Sequence, residues 1–371
     1  MDFKRIQHRR STNYDNVGGS LLIKPRSFKI KSYAHEALTQ QLVSNPNLAL
    51  AQMLKKKRSV TSVTQTVPKI PVVDFSQEGC LKPGTSSWLS VRGNVCRALE
   101  EFGCFMAVLP NKVSPELQDS MFGTLKELFD FPIETKAQTP QEKPVTDGYT
   151  STPFHESLTA GTDSEKPRTF EHHFWPNGND QYRESADAYT KVLAELHQVV
   201  TRMVFENYNV EKYHDDHVQS IVSALRFMKY KKPQKTGTGQ GLPAHADKTF
   251  TTILHQNHVK GLELCTKDNK WIGFDPLPSS FLVMACEGFQ VWSNDRISFC
   301  KHKVSLNRNE VRSSFGLFSY LEGVIRAPDE LTAEDHPLKY KPLHMLDYVQ
   351  FFLDNHRNVG VGYSVKEYCG I

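Results

Sequence analysis

Between residues 223 and 321 the chain alternates short apolar or β-branched runs with turn residues. The runs are SALRFMKY, TFTTILHQ, GLELCT, WIGFD, SFLVMAC, FQVWSN, KHKVSL and SSFGLFSYL, separated by QNHVKG, KDNK, LPSS, SNDR and NRNE. Many short strands at this spacing predict a β-sandwich or barrel of the jelly-roll kind. The front half carries helical periods instead. From Ser86, Trp88, Val91, Val95, Ala98 and Leu99 recur at i, i+3, i+4 positions, with Gly103 as the stop. A second helix follows a Ser114 cap with Pro115 at its first position, a long one spans Ala186 to Tyr208, and a last one covers MLDYVQFFLDN. Val67–Ser76 and CFMAVLP read as strands, the first of them buried, and RTFEHHFWP as an extended stretch. Residues 144–167, rich in Gly, Ser, Thr and Pro, read as loop.

With 371 residues, 39% hydrophobic and 11% aromatic, the chain has the makeup of a globular protein. No apolar run approaches the roughly 20 residues of a membrane-spanning helix, so a soluble protein with no membrane partner is expected. Seven cysteines, an odd number without a C-x-x-C pair, point to reduced thiols. No apolar segment follows the charges of MDFKRIQHRR, and a cytoplasmic location is expected. The charge is uneven: residues 1–60 hold twelve Lys/Arg against three Asp/Glu, while the remainder is net acidic. That basic arm is compatible with a solvated extension leading to a short helix around AHEALTQQL. It is also compatible with a nuclear signal at Lys55–Arg58 or a plastid transit segment. An acidic body argues against nucleic acid as partner.

The stretch GLPAHADKTF sets His245 and Asp247 two positions apart, which on a strand share a face. The same spacing occurs for His214 and Asp216 in YHDDH, read as a polar helix start with Asp as cap. His255 and His258 in HQNH read as hairpin residues. What distinguishes the first pair is its company downstream, His302 in KHKVSL and then Arg312 and Ser314 at another i, i+2 spacing. Two imidazoles and one carboxylate make the facial set of non-haem Fe(II) oxygenases, which leaves three positions open on the ion. A buried guanidinium calls for an anion, and its planar fork matches the carboxylate of a 2-oxo acid. The alternative for Arg312 is an internal Asp or Glu. Tyr230 is placed to add a hydrogen bond. Tyr149, Phe154, Phe170, Phe174, Phe250, Phe318 and Tyr320 are candidate substrate walls, and at most one of His172 and His173 faces a substrate.

The motifs IPVVDFS, ALEEFGCF, HADKTFTTILHQ, KHKVSLNRNEVRSSFGLFS and YCGI resemble the plant 2-oxoglutarate/Fe(II)-dependent dioxygenases of specialised metabolism, nearest to the branch acting on glucosinolate side chains. The resemblance spans Val67 to Ile371. It implies a mixed α/β fold with a double-stranded β-helix (jelly-roll) core flanked by helices. It divides the chain into a basic extension (1–66), a helical region (67–215) and a Fe(II)/2-oxoglutarate core with its C-terminal helix (216–371). It implies His245, Asp247 and His302 as iron ligands, Arg312 and Ser314 on the distal carboxylate of 2-oxoglutarate, and Tyr230 as the last residue of an Asn-x-Tyr motif. Met228 stands where Asn is usual, Lys303 where Arg is common, and Cys286 and Asp295 replace frequent glycines.

The expected activity is oxidation of a small plant specialised metabolite by hydroxylation, desaturation or demethylation, with release of succinate and CO2. Fe(II), 2-oxoglutarate and O2 are the expected cofactors, with ascorbate as reductant in assays and a monomer as the working form. Asp247 argues against halogenation. The competing expectation is a catalytically silent jelly roll that binds a metal or ligand.

Overall fold

The computed structural model describes residues 69–371 except 164, 232–238, 278, 307–309 and 361. The basic arm, its expected helix around AHEALTQQL and the Lys55–Arg58 cluster lie outside the described residues. In chain order the elements are β1 (Val72–Asp74), α1 (Ser86–Phe102), β2 (Cys104–Val108), α2 (Pro115–Asp130), α3 (Ile133–Ala137), β3 (Tyr149–Ser151), β4 (His155–Gly161), α4 (Lys166–Phe174), α5 (Asp180–Asn207) and α6 (His214–Gln219). Then follow β5 (Ile221–Tyr230), β6 (Gln240–His245), β7 (Thr251–Gln256), β8 (Leu262–Cys265), β9 (Trp271–Gly273), β10 (Ser280–Ala285), α7 (Glu287–Trp292), β11 (His302–Ser305), β12 (Ser313–Leu321), α8 (Met345–Val359) and α9 (Val365–Cys369).

Eight strands form one sheet in the order β1-β2-β10-β7-β12-β5-β4-β3, and four form a second in the order β6-β11-β8-β9. The period of two gives the large sheet two different faces. Phe105, Leu225, Phe227, Ile253, Phe281, Phe315 and Leu317 project into a core shared with Trp88, Met121 and Leu193 of the helices α1, α2 and α5. The alternate residues Met106, Met228, Tyr230, Leu254, Leu282 and Phe318 join Leu262, Leu264 and Val304 of the small sheet. Helices thus cover one face, and the jelly-roll interior opens on the other.

The helices that support this sheet start and stop where their caps dictate. Thr85 accepts from Trp88 N–H at 3.1 Å and Ser114 from Leu117 N–H at 3.2 Å, each filling an otherwise unpaired first-turn donor. Gly103 ends α1 at φ 69°, and a Cβ there would lie 2.5 Å from the Ser298 carbonyl, so the sharp turn into β2 needs glycine. Capped by Asn179, α5 begins six residues before the expected start, and the added residues bury Tyr182 and Ser185.

Several expectations are corrected. Residues 144–167 are not all loop, because β3 and β4 form a hairpin there. β4 pairs with β5 over seven residues, from His155↔Tyr230 to Gly161↔Ala224, so a tertiary edge recruits a segment whose own composition favours turns. RTFEHHFWP is largely helix α4, with Phe170 and Phe174 on its buried face, and FQVWSN falls mostly in α7, whose residues are buried all round and so show no period. β1 is an edge strand with only Val73 buried. Neither Asp215 nor Asp216 caps α6, which begins without a side-chain cap and buries His214 and His217.

Burial of imidazoles makes the helical core sensitive to acid. Desolvation lowers His255 to about 4, and lowers His197 to about 4 with His214 adding to it. His217 falls well below the ordinary range for the same reason, with His197 and His214 contributing. An unfolded imidazole titrates near 6.5, so below that pH the unfolded chain takes up protons that the folded chain refuses. We therefore expect the urea midpoint to be level above pH 7 and to fall between about 6.5 and 4, with up to ~3 kcal/mol lost per imidazole. A midpoint unchanged down to pH 4 would contradict this.

Candidate active site

Strand pairing builds the centre of the site. β6 and β11 run antiparallel with His245 directly opposite His302, and the two rings lie 4.2 Å apart. Asp247 follows two residues later, beyond the end of β6, so the turn toward β7 places it rather than the strand pleat. Its Oδ1 lies 3.5 Å from His245 Nε2 and 3.9 Å from His302 Nε2, and Thr252 Oγ1 donates to Oδ2 at 2.7 Å. Each histidine donates Nδ1–H to the carbonyl two residues before it, Pro243 at 2.9 Å and Cys300 at 3.1 Å. A carbonyl only accepts, which fixes the tautomer and turns each Nε2 lone pair toward Asp247.

Electrostatics agrees with the geometry. Burial, with His245 beside it, lowers His302 to about 4, so the ring is neutral at ordinary pH. Burial alone pushes the Asp247 carboxyl up, but His302, His245 and the Thr252 hydroxyl outweigh it and hold the group below the usual carboxylate range. Two imidazole nitrogens and one carboxylate oxygen converge within 4.8 Å, the one such group able to hold a metal ion among the described residues. A half-buried set of nitrogen and oxygen lone pairs that includes a carboxylate fits a divalent cation, and its N, N, O chemistry suits iron.

A buried cation sits across the same interior. Arg312 is 2% exposed, donates from Nη2 to Gln256 Oε1 at 2.7 Å and reaches Ser314 Oγ from Nη1 at 3.5 Å, while Nε has no partner. Among the described residues no carboxylate pairs with it, which rules out the internal Asp or Glu there. Tyr230 contributes its ring face, 4.6 Å from the guanidinium carbon, and its hydroxyl meets Met228 Sδ at 4.0 Å. Burial pulls the Arg312 pKa down, partly offset by Tyr230. A desolvated guanidinium lacking a counter-ion is a ready anion site.

A cavity of about 290 Å³ joins these two groups. Phe318 and Tyr320 line it as expected, but Tyr149, Phe154, Phe170, Phe174 and Phe250 do not. Phe170 and Phe174 pack in the helical core, and Phe250 stacks on Phe289 at 4.6 Å. The Lys136 ammonium lies 5.3 Å from the Tyr149 ring, and Phe154 sits in the β3–β4 turn, its carbonyl accepting from Lys231 N–H. His172 is exposed and His173 Nε2 bonds the Thr135 carbonyl, so neither reaches the cavity. Sequence reasoning missed Gln256, Thr252, His155 and the Arg226–Asp147 pair. Only the position of Thr252 and Gln256 on the Leu254 face of β7 offered a signal. Behind the cavity Lys248 donates to Glu287 Oε1 at 3.0 Å and to the Tyr363 carbonyl at 2.7 Å, and Tyr348 of α8 donates to Glu287 Oε2.

Known proteins resemble this chain in sequence and fold. Residues 218–319 match the family model of the 2OG-Fe(II) oxygenase superfamily, and residues 70–195 match that of the non-haem dioxygenase in morphine synthesis N-terminal region. A relative in Arabidopsis thaliana, "Probable 2-oxoglutarate-dependent dioxygenase AOP1.2", is 38% identical over 296 residues, covering 76% of this chain and 91% of the relative. The Arabidopsis "2-oxoglutarate-dependent dioxygenase AOP3" is 27% identical over 411 residues, covering 82% and 98%. The crystal structure of the rice dioxygenase for auxin oxidation superposes with a TM-score of 0.68 at 24% identity, covering 82% of this chain and 100% of that one. Alignment with AOP1.2 over most of both lengths, together with both halves of the family pattern, establishes that this chain belongs to the 2OG-Fe(II) oxygenase superfamily, as a 2-oxoglutarate-dependent dioxygenase of the plant AOP branch.

Proposed function

We propose that His245, Asp247 and His302 hold Fe(II), that Arg312 with Gln256 and Ser314 holds the distal carboxylate of 2-oxoglutarate, and that the enzyme oxidises a compact plant specialised metabolite. The observation that carries this reading is the buried Arg312 without a carboxylate, facing three converging donors through one cavity. When bound, Fe(II) with O2 and 2-oxoglutarate supplies the oxidising power, releasing succinate and CO2.

The chain's own groups bind, orient and exclude water. The Pro243 and Cys300 carbonyls keep both imidazoles in the ligating tautomer, and Thr252 fixes the carboxylate rotamer of Asp247. Gln256 sets the direction of the Arg312 fork, and the Tyr230 ring closes one face of it. Leu254, Leu262, Met284 and Val304 keep the space between the two charged groups apolar, which strengthens each charge–charge contact. Whether the product is an alcohol, an alkene or a demethylated compound depends on which substrate atom the walls present to the metal, since positioning governs such steps steeply.

Three outcomes follow. Asp247→Ala should abolish both Fe(II)-dependent succinate formation and metal retention in dialysis while the circular dichroism spectrum is kept; retained succinate formation would sink the assignment. Arg312→Ala should raise the 2-oxoglutarate dissociation constant between ~10- and ~100-fold, the scale of a lost hydrogen bond to a charged group; an unchanged constant would move the cosubstrate elsewhere. Thr252→Val should weaken metal affinity by about tenfold or more, as removal of a ligand-orienting partner does; unchanged affinity by metal titration would deny Thr252 that role.

A further inference from the structure

The cavity holds a second arginine that the cosubstrate leaves unused. On β5 the cavity-facing positions are Arg226, Met228 and Tyr230, so Arg226 stands about 13 Å along the strand from Tyr230 and Arg312. Its guanidinium lies over the Phe318 ring at 5.1 Å and donates from Nη2 to Asp147 Oδ1 at 3.0 Å. The same Asp147 oxygen accepts the Thr159 hydroxyl at 2.8 Å, so this ion pair is a single contact on a shared oxygen. Arg226 Nε is buried without a partner. A carboxylate that takes one of five N–H groups orients a guanidinium without saturating it, as outer partners do for metal-ligating histidines.

The surroundings suit an anion. His155, opposite Tyr230 on β4 and stacked on its ring at 5.6 Å, also lines the cavity, with Nδ1 tied to Thr152 Oγ1 at 3.0 Å. Burial, then Arg226 and His245, lowers His155 to about 4, so it presents a neutral ring there. Val349 and Phe352 of α8 with Leu242 and Pro243 of β6 supply an apolar wall. With Fe(II), Asp247, 2-oxoglutarate and Arg312 in place, the cosubstrate half is electrically balanced, and Arg226 keeps unsaturated N–H groups beyond it.

Resting on the function proposed above, we propose that the substrate is a carboxylic acid with a small apolar body, its carboxylate held by the free N–H groups of Arg226 and its body lying along α8. This docking fixes which carbon faces the metal, making Arg226 the specificity-determining residue.

The test uses the full chain loaded with Zn(II) and 2-oxoglutarate, which cannot turn over. Phenylacetate, phenylpropanoate, cinnamate and octanoate, each beside its methyl ester, are measured by equilibrium dialysis. At least one acid should be held about tenfold or more tighter than its ester, the scale of a charge-assisted hydrogen bond. Because loss of Arg226 alone strands a buried carboxylate, the informative variant is Arg226→Met with Asp147→Asn, in which the acid-to-ester ratio should fall toward one. Arg226→Lys, which keeps the charge but not the planar fork, should give an intermediate ratio, and it decides the matter if the double variant does not fold. Esters held as well as acids, no acid held by a chain that holds 2-oxoglutarate, or a ratio unchanged in the variants would each overturn the proposal. Failure of the native chain to hold 2-oxoglutarate would instead overturn the function on which it rests.

Discussion

Antiparallel pairing of β6 with β11 is the constraint on which the site depends, because it sets two imidazoles side by side, tilted 54° to one another, at the mouth of the jelly roll. A slip of one residue would turn His302 to the other face and bring Lys303 or Lys301 inward. The register is held from the far side as well, where β11 pairs with β8 and His302 lies opposite Leu264. Only the carboxylate comes from outside the ladder, and Thr252 of the neighbouring sheet anchors it. The proposed metal site is therefore a seam between two sheets, held by backbone pairing that does not involve the side chains of the site.

The same division explains how much could be read from the chain. His245, Asp247, His302, Arg312 and Ser314 could be singled out because each pair keeps a two-residue spacing and the short segments that carry them follow in order. The Gly103 stop of α1 and the Ser114 cap of α2 were legible for a similar reason, since they act on residues three or four positions away. What escaped depends on sheet order. His155, Arg226 and Gln256 reach one interior through the order β7-β12-β5-β4, in which neighbours are up to 100 residues apart. Pattern alone could not show that a Thr- and Ser-rich segment would be drawn into that sheet, nor that Phe170 and Phe250 would turn to the helical core.

Stability and chemistry compete within the interior. An unpaired Arg312 and a convergent set of lone pairs both raise the free energy of the empty folded chain. Ligands that satisfy them stabilise the folded state in proportion to their occupancy. The extensive aromatic packing on the helical face, including Phe205 stacked on Trp292 at 4.1 Å, supplies the compensating burial away from the site.

The bracing of α8 divides that helix into two stripes with different freedom to vary. Tyr348, hydrogen-bonded to the same Glu287 that receives Lys248, is bolted to the turn after Asp247. Val349 and Leu353, four residues apart and so on one stripe, lie about 100° and 140° round from Tyr348 and border the cavity. The bordering stripe is therefore free to vary while the bolted one keeps the turn after Asp247 in register, so the shape of the cavity wall is written along a single helix edge.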